Sequence, residues 1–184
     1  MTTIEALIAA AHLSLGCLFM FAAIGKLRDW ESLRRSVDQL TMKRLPDALS
    51  RFVAVGLPPV ELALGVGLLV GVHPEIFAAI AAALLAVFSL LIAMQLWRGN
   101  RVPCHCFGDS GAVIGPGTLV RNLLLLAMAL GTAGSAWAHP AQAFALSRLF
   151  GLSSAEVAGL TVVVVNMLVM VLALSESSAV LGEP

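Results

Sequence analysis

Five apolar runs, each long enough to cross a bilayer, constrain this chain more than any other feature. A hydrocarbon core takes about 20 helical residues to cross. The runs cover residues 6–25, 52–72, 76–97, 118–138 and 157–174. The first ends at Lys26-Leu27-Arg28-Asp29, and the second contains Pro58-Pro59 and Glu61. The third has no charge, the fourth has Arg121 in its first turn, and the fifth is Val-rich and the shortest. In lipid these runs must be helices, because every backbone N–H and C=O needs a partner inside the protein.

Composition agrees. Of 184 residues, 59% are hydrophobic and 12% are charged, whereas a soluble domain carries about 25% charge. Little chain remains outside the spans. Residues 1–184 therefore read as one all-α membrane domain, a bundle of four to five transmembrane helices. Net charge is zero and no basic block invites nucleic acid, so the lipid bilayer is the partner that composition requires. No Lys or Arg precedes Lys26, so the first run lacks a signal peptide's basic start and reads as a retained span. Proline is comfortable in a first helical turn and disruptive in the middle. The second span is therefore predicted to start at Pro58, after a separate short helix or bend over residues 47–56. Glu61 would then lie close to the membrane surface. Between the first two spans, Trp30, Leu33, Val37 and Leu40 recur at helical spacing, with Arg34, Arg35 and Asp38 off the stripe. That pattern predicts an amphipathic interfacial helix, and residues 141–151 repeat it more weakly. Gly65, Gly67 and Gly71 offer a small-residue face for helix packing.

Five spans put the two termini on opposite sides. One side receives residues 26–51, the loop before the fourth span and the C-terminal tail. It collects ten of the eleven Lys and Arg, leaving Arg148 on the other. The positive-inside rule makes the first side cytoplasmic.

That side also holds the most chemically distinctive motif, Cys104-His105-Cys106-Phe107-Gly108, with two of the chain's three cysteines. The two alpha carbons lie roughly 5–7 Å apart by chain geometry, which overlaps the disulfide range. A Cys-x-Cys disulfide closes a strained ring of the labile, exchange-competent kind. An imidazolium at His105 favours the reactive thiolate. Two other readings compete. Cys-His-Cys also suits a soft metal, Cu(I) or Zn, although a structural zinc site needs four ligands and only Asp109 offers a fourth. The loop could instead hold two incidental thiols, and the alternative functions are a soft-metal binding or transport protein and a non-catalytic membrane scaffold for redox enzymes. Cys17, within the first span, reads as a small packed hydrophobe or, alternatively, as a resolving thiol. Lys26, Glu61 and Arg121 are ionisable groups near membrane depth on the cysteine side, where such residues face a bundle interior. Glu61 has Lys26 and Arg121 as candidate partners, and Asn122 adds a hydrogen-bonding group. Together they form either a structural ion pair or a polar pocket for a partner, a proton or a quinone head group. His12 reads as a packed polar residue; His73 and His139 read as interfacial.

Several of these pieces occur together in one known family. Phe21-Ala22-Ala23-Ile24-Gly25-Lys26-Leu27, Val60-Glu61-Leu62-Ala63-Leu64-Gly65, Cys104-His105-Cys106-Phe107-Gly108 and Arg121-Asn122 resemble the MauE/DoxX family of redox-associated membrane proteins. The Cys-x-Cys-Phe-Gly piece is the specific one. The resemblance implies a helical bundle tied to thiol-disulfide exchange. Its methylamine-utilisation members serve maturation of methylamine dehydrogenase, a disulfide-rich extracytoplasmic enzyme, beside a thioredoxin-like partner. Cys104 and Cys106 match the family's cysteine pair, and Lys26, Glu61 and Arg121 its polar positions. The expectation is a membrane thiol-disulfide oxidoreductase that works through Cys104 and Cys106 with His105 between them. Electrons pass to a thioredoxin-like protein, a quinone or another dithiol stands on the other side of the exchange, and a disulfide-containing enzyme is the client. An extracytoplasmic client places the cysteine loop outside, against the charge rule.

Overall fold

The computed structural model describes residues 3–28, 30–40, 46–71, 73–99, 115–138 and 164–165. They form α1 (Thr3–Arg28), α2 (Trp30–Leu40), α3 (Asp47–Val70), α4 (Pro74–Trp97) and α5 (Pro116–Ala138). Among the described residues α1, α3, α4 and α5 contain stretches long and apolar enough to cross a membrane. Four of the five expected spans are therefore present, with ends shifted by a few residues. Of the fifth, 157–174, only Val164 and Val165 fall among the described residues, and they are helical. Segment 141–151 lies outside them.

The spans form a ring in the order α1, α3, α4, α5, with α5 closing against α1. Contact along it is uneven. α1 packs extensively on α3, and α4 on α5, whereas the α3–α4 and α1–α5 seams are much slighter. The bundle is thus two close helix pairs laid side by side. Glycine makes the first pair possible. A Cβ on Gly65 would stand 2.9 Å from the Gly16 carbonyl oxygen and 2.7 Å from Met20 Cγ, so only hydrogen fits between these backbones. Gly71, at φ 74°, ends α3 in the left-handed conformation and donates its N–H to the Gly67 carbonyl at 3.0 Å. Pro74 then starts α4 at a first-turn position, where its missing N–H costs nothing.

The predicted break at Pro58 is not there. α3 runs unbroken from Asp47 through Pro58 and Pro59. A proline inside a helix costs about 3 kcal/mol in water. In a membrane, lipid-exposed irregular backbone is the worse alternative, so the helix continues. What changes near Pro58 is the neighbour. Earlier in α3, Ala54, Val53 and Leu57 pack on Leu33 and Val37 of α2, and Ser50 donates a hydrogen bond to the Asp38 carboxylate. Later, Glu61, Gly65 and Leu69 face α1. The amphipathic helix is therefore confirmed, but Leu33 and Val37 on its apolar stripe are buried against α3. It folds back from the end of α1 and also touches α4.

The bundle is apolar at its middle and on its outside. Leu15, Leu18, Leu64, Leu68, Leu85 and Leu125 form the central core. Val60, Ile80, Val87, Leu90, Leu123 and Leu130 stand exposed on the outer faces, where a bilayer would solvate them.

Candidate functional site

Polar side chains collect inside the bundle toward the end from which residues 100–114 run between α4 and α5. Each spanning helix contributes. Lys26 comes from the last turn of α1, Glu61 from α3, Ser89 from α4 and Asn122 from α5, and all four are buried. Lys26 and Glu61 form an ion pair in which the ammonium donates to Oε1. The sequence left two partners open for Glu61, and the structure selects Lys26. Among the described residues no donor reaches the other carboxylate oxygen, Oε2, although it too is buried. The Lys26 ammonium also lies 5.4 Å from the centroid of the Phe88 ring, within cation–π range. Since α1 and α4 occupy opposite corners of the ring, this contact carries the Lys26 head across the middle of the bundle.

The second helix pair has its own link. Asn122 Nδ2 donates to Ser89 Oγ at 3.5 Å, a long contact, and Ser89 Oγ donates to the Leu85 carbonyl at 2.8 Å. Arg121 is buried beside Asn122, while Gln95 and Thr118 are buried in the α4 and α5 turns nearer the loop. The described buried residues of this layer thus include two cations, Lys26 and Arg121, and one carboxylate, Glu61. The Lys26–Glu61 pair is shut off from solvent at 4% and 3% side-chain exposure.

Lys26, Glu61, Arg121 and Asn122 therefore all occupy the bundle interior, as their cost at membrane depth demands. Cys104, His105 and Cys106 lie outside the described residues, as do Asp109 and His139. Cys17 is a free, half-buried thiol inside α1. It sits nine residues before Lys26, about 13 Å along the axis. His12 is buried, and exposed His73 precedes α4 with its Nδ1 3.3 Å from Glu75 Oε1. Sequence reasoning missed Phe88, Ser89, Gln95 and Thr118. Ser89 and Gln95 were findable as isolated polar residues in an otherwise apolar span. Nothing in the sequence marks Phe88, whose role depends on which helices stand opposite each other.

This architecture defines a polytopic helical membrane protein that keeps its polar groups on the inside. The chain belongs to the MauE family, whose model, described as methylamine utilisation protein MauE, matches residues 4–138. That stretch takes in α1 to α5 and the Cys-x-Cys motif. Over 126 residues the chain is 40% identical to the methylamine utilization protein MauE of Paracoccus denitrificans, covering 67% of each chain. Over 121 residues it is 40% identical to the MauE protein of Paracoccus versutus, covering 65% of this chain and 64% of the relative. No solved structure matches.

Proposed function

We propose that this protein is a membrane thiol-disulfide relay acting through Cys104 and Cys106 with a thioredoxin-like partner. In this reading it serves methylamine utilisation by supporting maturation of a disulfide-containing enzyme. The observation that carries the reading is the pairing of two features at one end of the bundle. The Cys-x-Cys segment connects α4 to α5, and the buried polar layer of Lys26, Glu61, Arg121 and Asn122 lies at the same end. The family supports it through relatives named for methylamine utilization.

The exchange is a two-electron step that runs either way. A partner thiolate attacks one sulfur of the Cys104–Cys106 disulfide, forming a mixed disulfide and releasing the other cysteine as thiolate. The partner's second thiolate then attacks its own sulfur in the mixed disulfide. The partner leaves oxidised, and Cys104 and Cys106 remain as a dithiol. Reversal reduces the partner and reoxidises the pair. An imidazolium at His105 favours the thiolate form.

Differential alkylation with mass spectrometry tests the reading on purified protein equilibrated in graded redox buffers. Cys104 and Cys106 should pass together between dithiol and disulfide. If both thiols stay free at every poise, no relay runs through this pair.

A further inference from the structure

We propose that the outer face of α1, from Ala10 to Cys17, is the docking surface for the chain's own fifth apolar run, residues 157–174, which seats on it as a parallel helix. The proposal is independent of the relay and concerns how the bundle is closed around α1.

The burial pattern of α1 carries it. α3, α4 and α5 each expose a residue at about every third or fourth position through their spans, the pattern of a helix whose outer side is left open. α1 departs from that pattern, with no residue exposed from Ile8 to Met20. Two sides of this stretch have described neighbours. Gly16 and Met20 face Gly65 of α3, and Leu15, Leu18 and Phe19 lie in the central core. The third side is the stripe Ala10, Leu13, Ser14, Cys17, Phe21 and Ile24, which recurs at helical spacing. Its second half points out of the bundle, with Phe21 66% and Ile24 40% exposed. Its first half continues the same face, yet Ala10 and Ser14 have no exposed surface and Leu13 and Cys17 are half-buried. α2 follows the far end of α1, beyond Ile24, and does not extend to this half. One chain is present, so a second copy does not supply the cover.

The fifth run fits the place in length, direction and polarity. As a helix it is about 27 Å long, against about 18 Å from Ile8 to Met20. α5 ends on the side where α1 begins, so the run crosses in the direction of α1. α5 is also a neighbour of α1 in the ring, and the connection 139–156 need not pass over the bundle. Ala10, Ser14 and Cys17 are small, which lets a second backbone come close. Asn166 lies nine residues into the fifth run, as Leu15 lies nine into the first. The run's amide thus comes level with Ser14, where a hydrogen bond between helices is worth most against an apolar surround. Val164 is helical and half-buried while Val165 is 49% exposed, the contrast of a helix covered on one side. The run lies beyond residues 4–138, which the family model matches, so it adds a helix to the family's core.

Site-specific photocrosslinking in the full-length protein tests the placement. A diazirine analogue of leucine replaces single residues from Val162 to Val169 in turn, and native membranes are illuminated. The carbene inserts into whatever stands beside it, and peptide mass spectrometry finds the point of insertion. Positions recurring every three or four residues should insert into the α1 peptide bearing Ala10 to Cys17, within a monomeric chain. Ala10→Leu, which enlarges a side chain that has no exposed surface, should cut that yield several-fold, whereas Phe21→Leu on the open half should leave it unchanged. Insertion into another helix, into lipid alone at every position, or into a second copy seen as a crosslinked dimer overturns the proposal. An equal yield from Ala10→Leu and Phe21→Leu also counts against it.

Discussion

Lys26 and Glu61 are 35 residues apart in the chain and meet as one buried ion pair between α1 and α3. Their energetics are asymmetric. Removing one partner strands a buried charge at a cost of about 3–5 kcal/mol, whereas replacing both with apolar residues is often neutral. Lys26→Met and Glu61→Leu should each lower thermal stability in detergent by that order. The double variant should recover most of the loss, and strictly additive losses would mean that the two do not couple.

The Gly16–Gly65 approach gives a second prediction, concerned with packing alone. Gly65→Ala forces a Cβ to within 2.9 Å of the Gly16 carbonyl oxygen. Backbone cannot swing aside as a side chain can, so α1 and α3 must separate. The expected cost is about 1–3 kcal/mol. Gly134→Ala is the control, since nothing lies within 4 Å of a Cβ there, and its effect should stay within about 0.5 kcal/mol. Unfolding midpoints of the two variants decide the matter, and equal midpoints would contradict the close approach.

Much of this architecture was legible in the sequence. Membrane helices announce themselves because lipid imposes both length and helicity. α2 was legible from the spacing of Trp30, Leu33, Val37 and Leu40. Its packing was not, because an amphipathic stripe fits a lipid surface as well as it fits Ala54 and Leu57. Pro58 misled because its penalty was weighed against water. Lys26, Glu61, Arg121 and Asn122 were findable as polar residues where polarity is costly. That Glu61 takes Lys26, and that Lys26 reaches Phe88, depends on the ring order of four helices, which no local pattern encodes.

Cys17 should take no part in the chemistry. Its thiol is half-buried in an apolar stretch, and buried structural cysteines are inert. Cys17→Ala should retain full thiol-disulfide activity with the partner. In the folded protein, alkylating reagents should modify Cys104 and Cys106 well before Cys17. A large loss of activity in Cys17→Ala would reinstate it as a resolving thiol.

Charge makes a prediction about sidedness. Ten of the eleven basic residues fall on the cysteine side by sequence, so the positive-inside rule predicts a cytoplasmic Cys104-His105-Cys106 segment. In intact cells a membrane-impermeant maleimide should then leave the reduced pair unlabelled while a permeant one labels it. Labelling by the impermeant reagent would put the pair on the extracytoplasmic side, facing the client that the family suggests.

The relay is tested most directly by trapping its covalent intermediate. Single Cys104→Ser and Cys106→Ser variants, expressed in the native membrane and quenched with acid, each lack one of the two thiols. One of them should accumulate a mixed disulfide with a thioredoxin-like protein, seen as a larger species on a non-reducing gel and dissolved by dithiothreitol. The cysteine that remains in that variant is the one bonded to the partner. If both variants reach the membrane folded and neither carries a disulfide-linked partner, Cys104 and Cys106 do not exchange with such a protein, and the proposed relay is wrong.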